Sequence, residues 1–235
     1  MLALDHLAIW TGAAAALAAQ LSELAGLPVL EGYAPEGGVA AWGVRLAGGA
    51  FLDIHQAPVA QPKGHVLLGL RGDIGKAEAL AAEHGWGIRV VRWRDAGDGS
   101  PWSLMSFRRD RGVLSQLFVI DYAAEPEAWA SPVFDRPLYR AEGPLEGPVL
   151  RRVWLSATDA RAAGAAVGGL GFADAGEFVS AFPPHRGRLY RGVAGDLVLV
   201  EGGADDVLRF DLSGAGPAVC EAFGERLLAV VGETP

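Results

Sequence analysis

The chain has 235 residues, of which 51% are hydrophobic and 20% charged, which excludes a disordered polymer and supplies material for a large core. Its formal charge of −8, from 20 basic and 28 acidic residues without a Lys/Arg run, excludes an electrostatic grip on nucleic acid or anionic lipid. A lone cysteine excludes an internal disulfide and fits a reducing compartment; with no signal-peptide pattern at the start and no apolar stretch of membrane-spanning length, the expected location is cytoplasmic.

Residues 4–10 (LDHLAIW) read as a short buried strand. An alanine-rich helix is expected over 13–25, with Leu17, Leu21, Leu24 and Ala25 on one face and a stop at Gly26. Val29 and Leu30 open another extended stretch. A shift of 59 residues carries His6-Leu7-Ala8-Ile9 onto His65-Val66-Leu67-Leu68, Leu21 onto Leu80 and Gly26 onto Gly85 without a gap. In each copy a strand pair follows. The first runs 38–47, Gly48-Gly49, 50–57; the second runs 101–108, Asp110-Arg111-Gly112, 113–121. Each copy is therefore expected to be a βαβββ module, over 3–58 and 64–122, together making a unit of 1–122. Aligning Gly49 with Gly112 sets Arg45 on Arg108 and Asp53 on Gln116.

The Pro/Glu-rich segment 123–148 lacks periodicity and reads as a connector packed by Trp129, Phe134 and Tyr139. A third, incomplete βαβββ-like module is expected over 149–235. It takes a strand at 149–156, a helix capped by Thr158 or Asp159, a hairpin at 187–200, a strand at 206–212 and a C-terminal helix to Val231. Gly168-Gly169-Leu170-Gly171 marks a helix stop rather than a nucleotide site, and Cys220 reads as a buried thiol.

Taken with the repeat, three strings carry a resemblance: Leu4-Asp5-His6, Phe51-Leu52-Asp53-Ile54 and Leu117-Phe118-Val119-Ile120-Asp121-Tyr122. In order and spacing they resemble the glyoxalase-like branch of the vicinal oxygen chelate superfamily, which includes glyoxalase, bleomycin-resistance and dioxygenase proteins. The resemblance implies an α+β fold of paired βαβββ modules forming cupped mixed sheets with helices on the outer face. In metal-using members the first and last strand of each module supply ligands, which implies His6, Asp53, His65 and Gln116 here. Such a set would suit Zn, Mn, Ni or Fe without choosing among them. It would present vicinal substrate oxygens to a divalent ion for isomerase, lyase or dioxygenase chemistry.

Each residue also has a plainer reading. His6 and His65 fit strand starts with solvated rings, Gln116 an exposed face, and Arg45 is a non-metal partner for Asp53. On a strand His55 shares a face with Asp53, as a substitute ligand or a general base. Arg45 and Arg108 are candidates for clamping a carboxylate. Trp42, with Trp10, Trp93 and Trp102, suits either a ligand wall or the core. The metalloenzyme thus stands beside a metal-free protein of the same fold that binds or sequesters a small molecule. In a third reading 149–235 completes the core or mediates a homodimer.

Overall fold

A computed structural model of the chain describes residues 2–23, 26–33, 39–57, 65–97, 99–108, 112–130, 147–180 and 186–214. The first module is β1 (Ala3–Thr11), α1 (Ala14–Glu23), β2 (Val29–Tyr33), β3 (Val39–Arg45) and β4 (Phe51–Gln56). The second is β5 (His65–Arg71), α2 (Ile74–Glu83), β6 (Ile88–Val91), β7 (Trp102–Phe107) and β8 (Leu117–Tyr122). Their strands form one eight-stranded sheet, β2-β3-β4-β1-β5-β8-β7-β6. Within a module the first and last strands run parallel, Leu7 beside Leu52 and Leu68 beside Leu117. The two modules join through the antiparallel β1–β5 pair, Leu7 opposite Leu68.

The repeat is legible in the helix ends. Gly26 and Gly85 stop their helices at φ of +66° and +65°, a conformation open to glycine at little cost. α2 is started by Asp73, whose side chain accepts from the Lys76 amide at 2.8 Å. Asp121 of β8 reaches across to accept from the Ile74 amide at 3.0 Å. Both helices pack on the convex side through small or branched residues: Ala14, Ala18 and Leu21 from α1, Ile74, Ala77 and Ala81 from α2.

A second, five-stranded sheet follows. It is built from β9 (Val149–Ala157), α3 (Ala160–Gly169), β10 (Ala173–Val179), β11 (Arg186–Arg191), β12 (Asp196–Glu201) and β13 (Asp206–Ser213), in the order β10-β11-β12-β9-β13. Of the two expected caps for α3 it is Asp159 that accepts from the Ala162 amide. β9 and β12 pair in parallel, as β1 and β4 do, and β13 pairs antiparallel with β9, as β5 does with β1. The third module is therefore complete at β12, and β13 holds the place of a next module's first strand.

This corrects the sequence reading, which closed the module with 206–212 and omitted β10. The omission has a physical cause: β10 is largely exposed and is bulged between Asp174 and Gly176, so it has no apolar alternation to read. The run 113–121 also divides. Gly112–Gln116 is a 3-10 helix that buries Val113 and Leu114, and only Leu117–Tyr122 is strand. Phe134, Tyr139, Cys220 and the C-terminal helix lie outside the described residues. The convex sides of the two sheets share one core, in which Leu7, Leu52 and Leu70 belong to the same cluster as Val153, Leu155 and Phe210. None of the helices among the described residues is long and apolar enough to cross a membrane.

Candidate functional site

The concave face of the first sheet encloses a hollow of about 950 Å³. Its floor is small where β1 and β3 contribute Ala8 and Ala41, and its walls are aromatic: Trp10, Phe51, Trp102, Phe118, Tyr122 and Trp129. Asp5, His6, Arg45, Asp53 and His55 are polar groups in the same wall. The second sheet differs at the matching place. Ala8 and Trp154 are each the sixth residue of their module's opening strand, and Trp154 is fully buried against Leu189 and Val198. Where the first cup has a methyl group, the second sheet has an indole packed on the face away from the shared core.

Asp5 and His6 are consecutive, yet both line the cavity. Regular pleating points neighbours to opposite faces, and a register shift in the β1–β5 ladder between Leu4 and His6 removes that alternation. His6 is buried, with Nδ1 2.7 Å from Asp5 Oδ2. Its ring stacks on Phe51 at 4.5 Å and meets Phe118 edge-on at 5.1 Å. It lies over Gly69, where a Cβ would stand 2.9 Å from both His6 and Phe118 ring atoms, so only a bare backbone leaves room for the two rings. The Tyr122 hydroxyl donates to the same Asp5 oxygen at 2.8 Å, and Arg71 Nε lies 3.9 Å from the other.

A second Asp–His pair lies further along the wall. His55 Nε2 is 2.9 Å from Asp53 Oδ2, with both side chains about a quarter exposed. Trp10 is sandwiched between two imidazoles, His55 at 5.0 Å and His65 at 4.4 Å, with rings close to parallel. Arg45 covers Phe51 at 4.8 Å. Burial lowers the Arg45 pKa, against the pull of Tyr122, Asp5 and Asp53. Burial also raises the Tyr122 phenol, reinforced by the Asp5 charge and hydrogen bond, so it stays protonated across the physiological range.

Of the residues singled out from sequence, His6, Arg45, Asp53 and His55 line the cavity. Trp42 does not: it pairs beside Ile54 and packs on the convex core, because its neighbour Ala41 takes the inward position. Arg108 is exposed, its stem lying over Gly87. Gln116 belongs to the 3-10 helix and donates to Ser115 Oγ. His65 sits at the end of β5 with its ring on Trp10. Asp5, Tyr122 and Phe118 were not singled out as site residues. Asp5 and Tyr122 needed the bulge and the β1–β8 proximity to be recognised, although both stand inside quoted strings.

The four residues implied as metal ligands do not fit one ion. In the antiparallel pair His6 is opposite Gly69 and His65 opposite Trp10, about 14 Å further along at ~3.4 Å per residue. Trp10 has His65 on one side and His55, with its partner Asp53, on the other, whereas metal–nitrogen bonds are about 2.0–2.1 Å. The cup-floor neighbours of His6 are Phe51, Gly69 and Phe118, which offer no side-chain donor atom. Among the described residues no three His, Cys, Asp or Glu side chains are grouped to hold a metal.

No protein-family model and no curated protein matches the sequence. Solved structures do match. A hypothetical protein from Staphylococcus aureus aligns at TM-score 0.59 and 10% identity over 91% of each chain. A halotolerant catechol dioxygenase aligns at 0.59 and 14%, over 95% of this chain and 74% of that one. Homoprotocatechuate 2,3-dioxygenase from Arthrobacter globiformis aligns at 0.59 and 13%, over 95% and 68%. The chain spans 61% of the related enzyme chain from Brevibacterium fuscum. At these identities the likeness shows the fold alone, a fold this chain shares with those dioxygenases.

Proposed function

We propose that the chain binds a flat small molecule in the cup of its first two modules and does so without the four-ligand metal centre used elsewhere in this fold. The observation that carries the reading is the 950 Å³ hollow, with aromatic walls and a few polar groups on them. This is the composition of a small-molecule site: apolar surface supplies affinity and a few polar groups supply orientation. Trp10 and Phe51 offer faces on which a planar ligand stacks. Asp53-held His55 and Arg45 offer one acceptor-or-donor and one cation for its polar edge. In this reading residues 1–122, with Trp129 added to the wall from the segment that follows, are the binding unit and the second sheet buttresses its convex side.

Between the metalloenzyme and the metal-free protein, the side-chain arrangement favours the second. Its test is quenching of tryptophan fluorescence by a series of planar aromatic acids, phenols and heterocycles, with and without EDTA. Elemental analysis of untagged protein runs alongside. We expect saturable quenching that survives the chelator and metal well below one equivalent. Near-stoichiometric metal lost in His6→Ala, or binding abolished by EDTA, would overturn the reading.

A further inference from the structure

We propose that His6 is a general base inside the cup and that Asp5 is its positioning residue. The inference rests on the cup being a ligand site. His6 gives Nδ1 to Asp5 at 2.7 Å, while Nε2 has no hydrogen-bond partner among the described residues, and the side chain lines the hollow. Phe51, Gly69 and Phe118 fix the ring plane. The Tyr122 hydroxyl donates to the same Asp5 oxygen, which holds the carboxylate beside the imidazole.

A carboxylate on Nδ1–H sets the tautomer: the proton stays on Nδ1 and the lone pair is at Nε2. The bulge at Asp5 is what allows this between consecutive residues, because it turns both side chains to one face. His55 is in the opposite condition. Its Nε2 is the nitrogen engaged by Asp53, at the better-exposed part of the wall.

The chemistry is a proton transfer. A planar ligand bearing an acidic C–H or O–H gives its proton to His6 Nε2, and the bond's electron pair remains on the ligand. The imidazolium formed is balanced by Asp5. Arg45, on the other side of Phe51 in the same cross-strand row, offers the cation for the ligand's new negative charge. Nothing is oxidised or reduced, and the proton returns to the ligand at another atom or passes to water.

Two measurements test this on the full chain. In ¹⁵N-histidine-labelled protein at neutral pH, His6, assigned by its loss in His6→Gln, is expected with Nδ1 protonated and Nε2 bare. Asp5→Asn is expected to shift it toward the Nε2–H tautomer, and it also assigns the resonance should His6→Gln fail to fold. A protonated Nε2 in the neutral wild-type ring would overturn the proposal. The second measurement uses 5-nitrobenzisoxazole, a flat probe that loses one C–H proton to a base as its N–O bond opens to 2-cyano-4-nitrophenolate. A general base in place should make the wild type about 100-fold faster than His6→Gln at equal probe saturation. Equal rates with the probe bound would overturn the base. Failure of the probe to quench tryptophan fluorescence would count against the flat-ligand reading instead, and the tautomer would then decide for or against His6.

Discussion

Replacing Ala8 with tryptophan would recreate in the first cup the arrangement already present at Trp154. The backbone should tolerate it, since the same place in the third module carries an indole at 1% exposure. Instead of overpacking a filled core, the new ring enters an open hollow of about 950 Å³. A buried aromatic ring covers about 200 Å². If half of that is surface the ligand uses, the ligand loses about 100 Å² of contact, or about 2.5 kcal/mol at 25 cal/mol per Å². That is near a 70-fold rise in Kd. Because the variant adds a fluorophore, the assay is calorimetric titration with the tightest probe from the aromatic series, beside a thermal melt. We expect a Tm within about 5 °C of wild type, as a change near 1 kcal/mol implies for a chain of this length. A folded variant that binds within threefold of wild type would refute the placement of the ligand over Ala8.

Further expectations concern other parts of the molecule. Tyr122 has its pKa raised in the folded state, so it supports folding fully below pH 10 and progressively less above it, as the unfolded chain releases the phenol proton and the native one keeps it. Wild-type stability should therefore fall above pH 10 by up to about 1.4 kcal/mol per pH unit more steeply than that of Tyr122→Phe; parallel curves in urea titrations between pH 9 and 11 would contradict this. Asp211 accepts from Arg209, Arg152 and Trp154 at 2.7, 2.9 and 2.9 Å, so Asp211→Ala leaves the buried Arg209 uncompensated and should cost about 3–5 kcal/mol in denaturant midpoint analysis. Asp73→Ala removes the cap of α2 and should cost about 1 kcal/mol by the same method, with ligand affinity unchanged.

How far the sequence disclosed this can be judged residue by residue. The duplicated strand–helix–glycine pattern located both opening strands, because a glycine stop and an apolar helix face are local signals. The placement of Asp53 and His55 on one inward face followed from pleating alone, and β4 keeps that alternation. Pleating failed at Asp5, where one extra residue in β1 turns two neighbours inward. Pairing Gln116 with Asp53 failed for a similar reason. An apolar run has no mark to show where a 3-10 helix that buries Val113 and Leu114 gives way to strand. The histidine repeat was real in sequence, but an antiparallel seam sends equivalent positions toward opposite ends. The contrast of Ala8 with Trp154 needed the third module's register, and the exposed β10 concealed it.

The parallel closing pair in every module bears on how the chain is made. His6 must wait for Phe51, Gly69 for Phe118 and Arg152 for Asp196 before an opening strand gains its parallel neighbour. On the ribosome β1 and β9 therefore emerge as unpaired apolar edges and stay so until a partner strand has been synthesised, whereas β5 meets β1 as it emerges. Each closure spends chain entropy before contacts repay it, the condition for slow folding. The interval of greatest exposure to aggregation thus falls twice along the nascent chain, at β1 and at β9, and the antiparallel β1–β5 and β9–β13 seams complete the cover of these two strands.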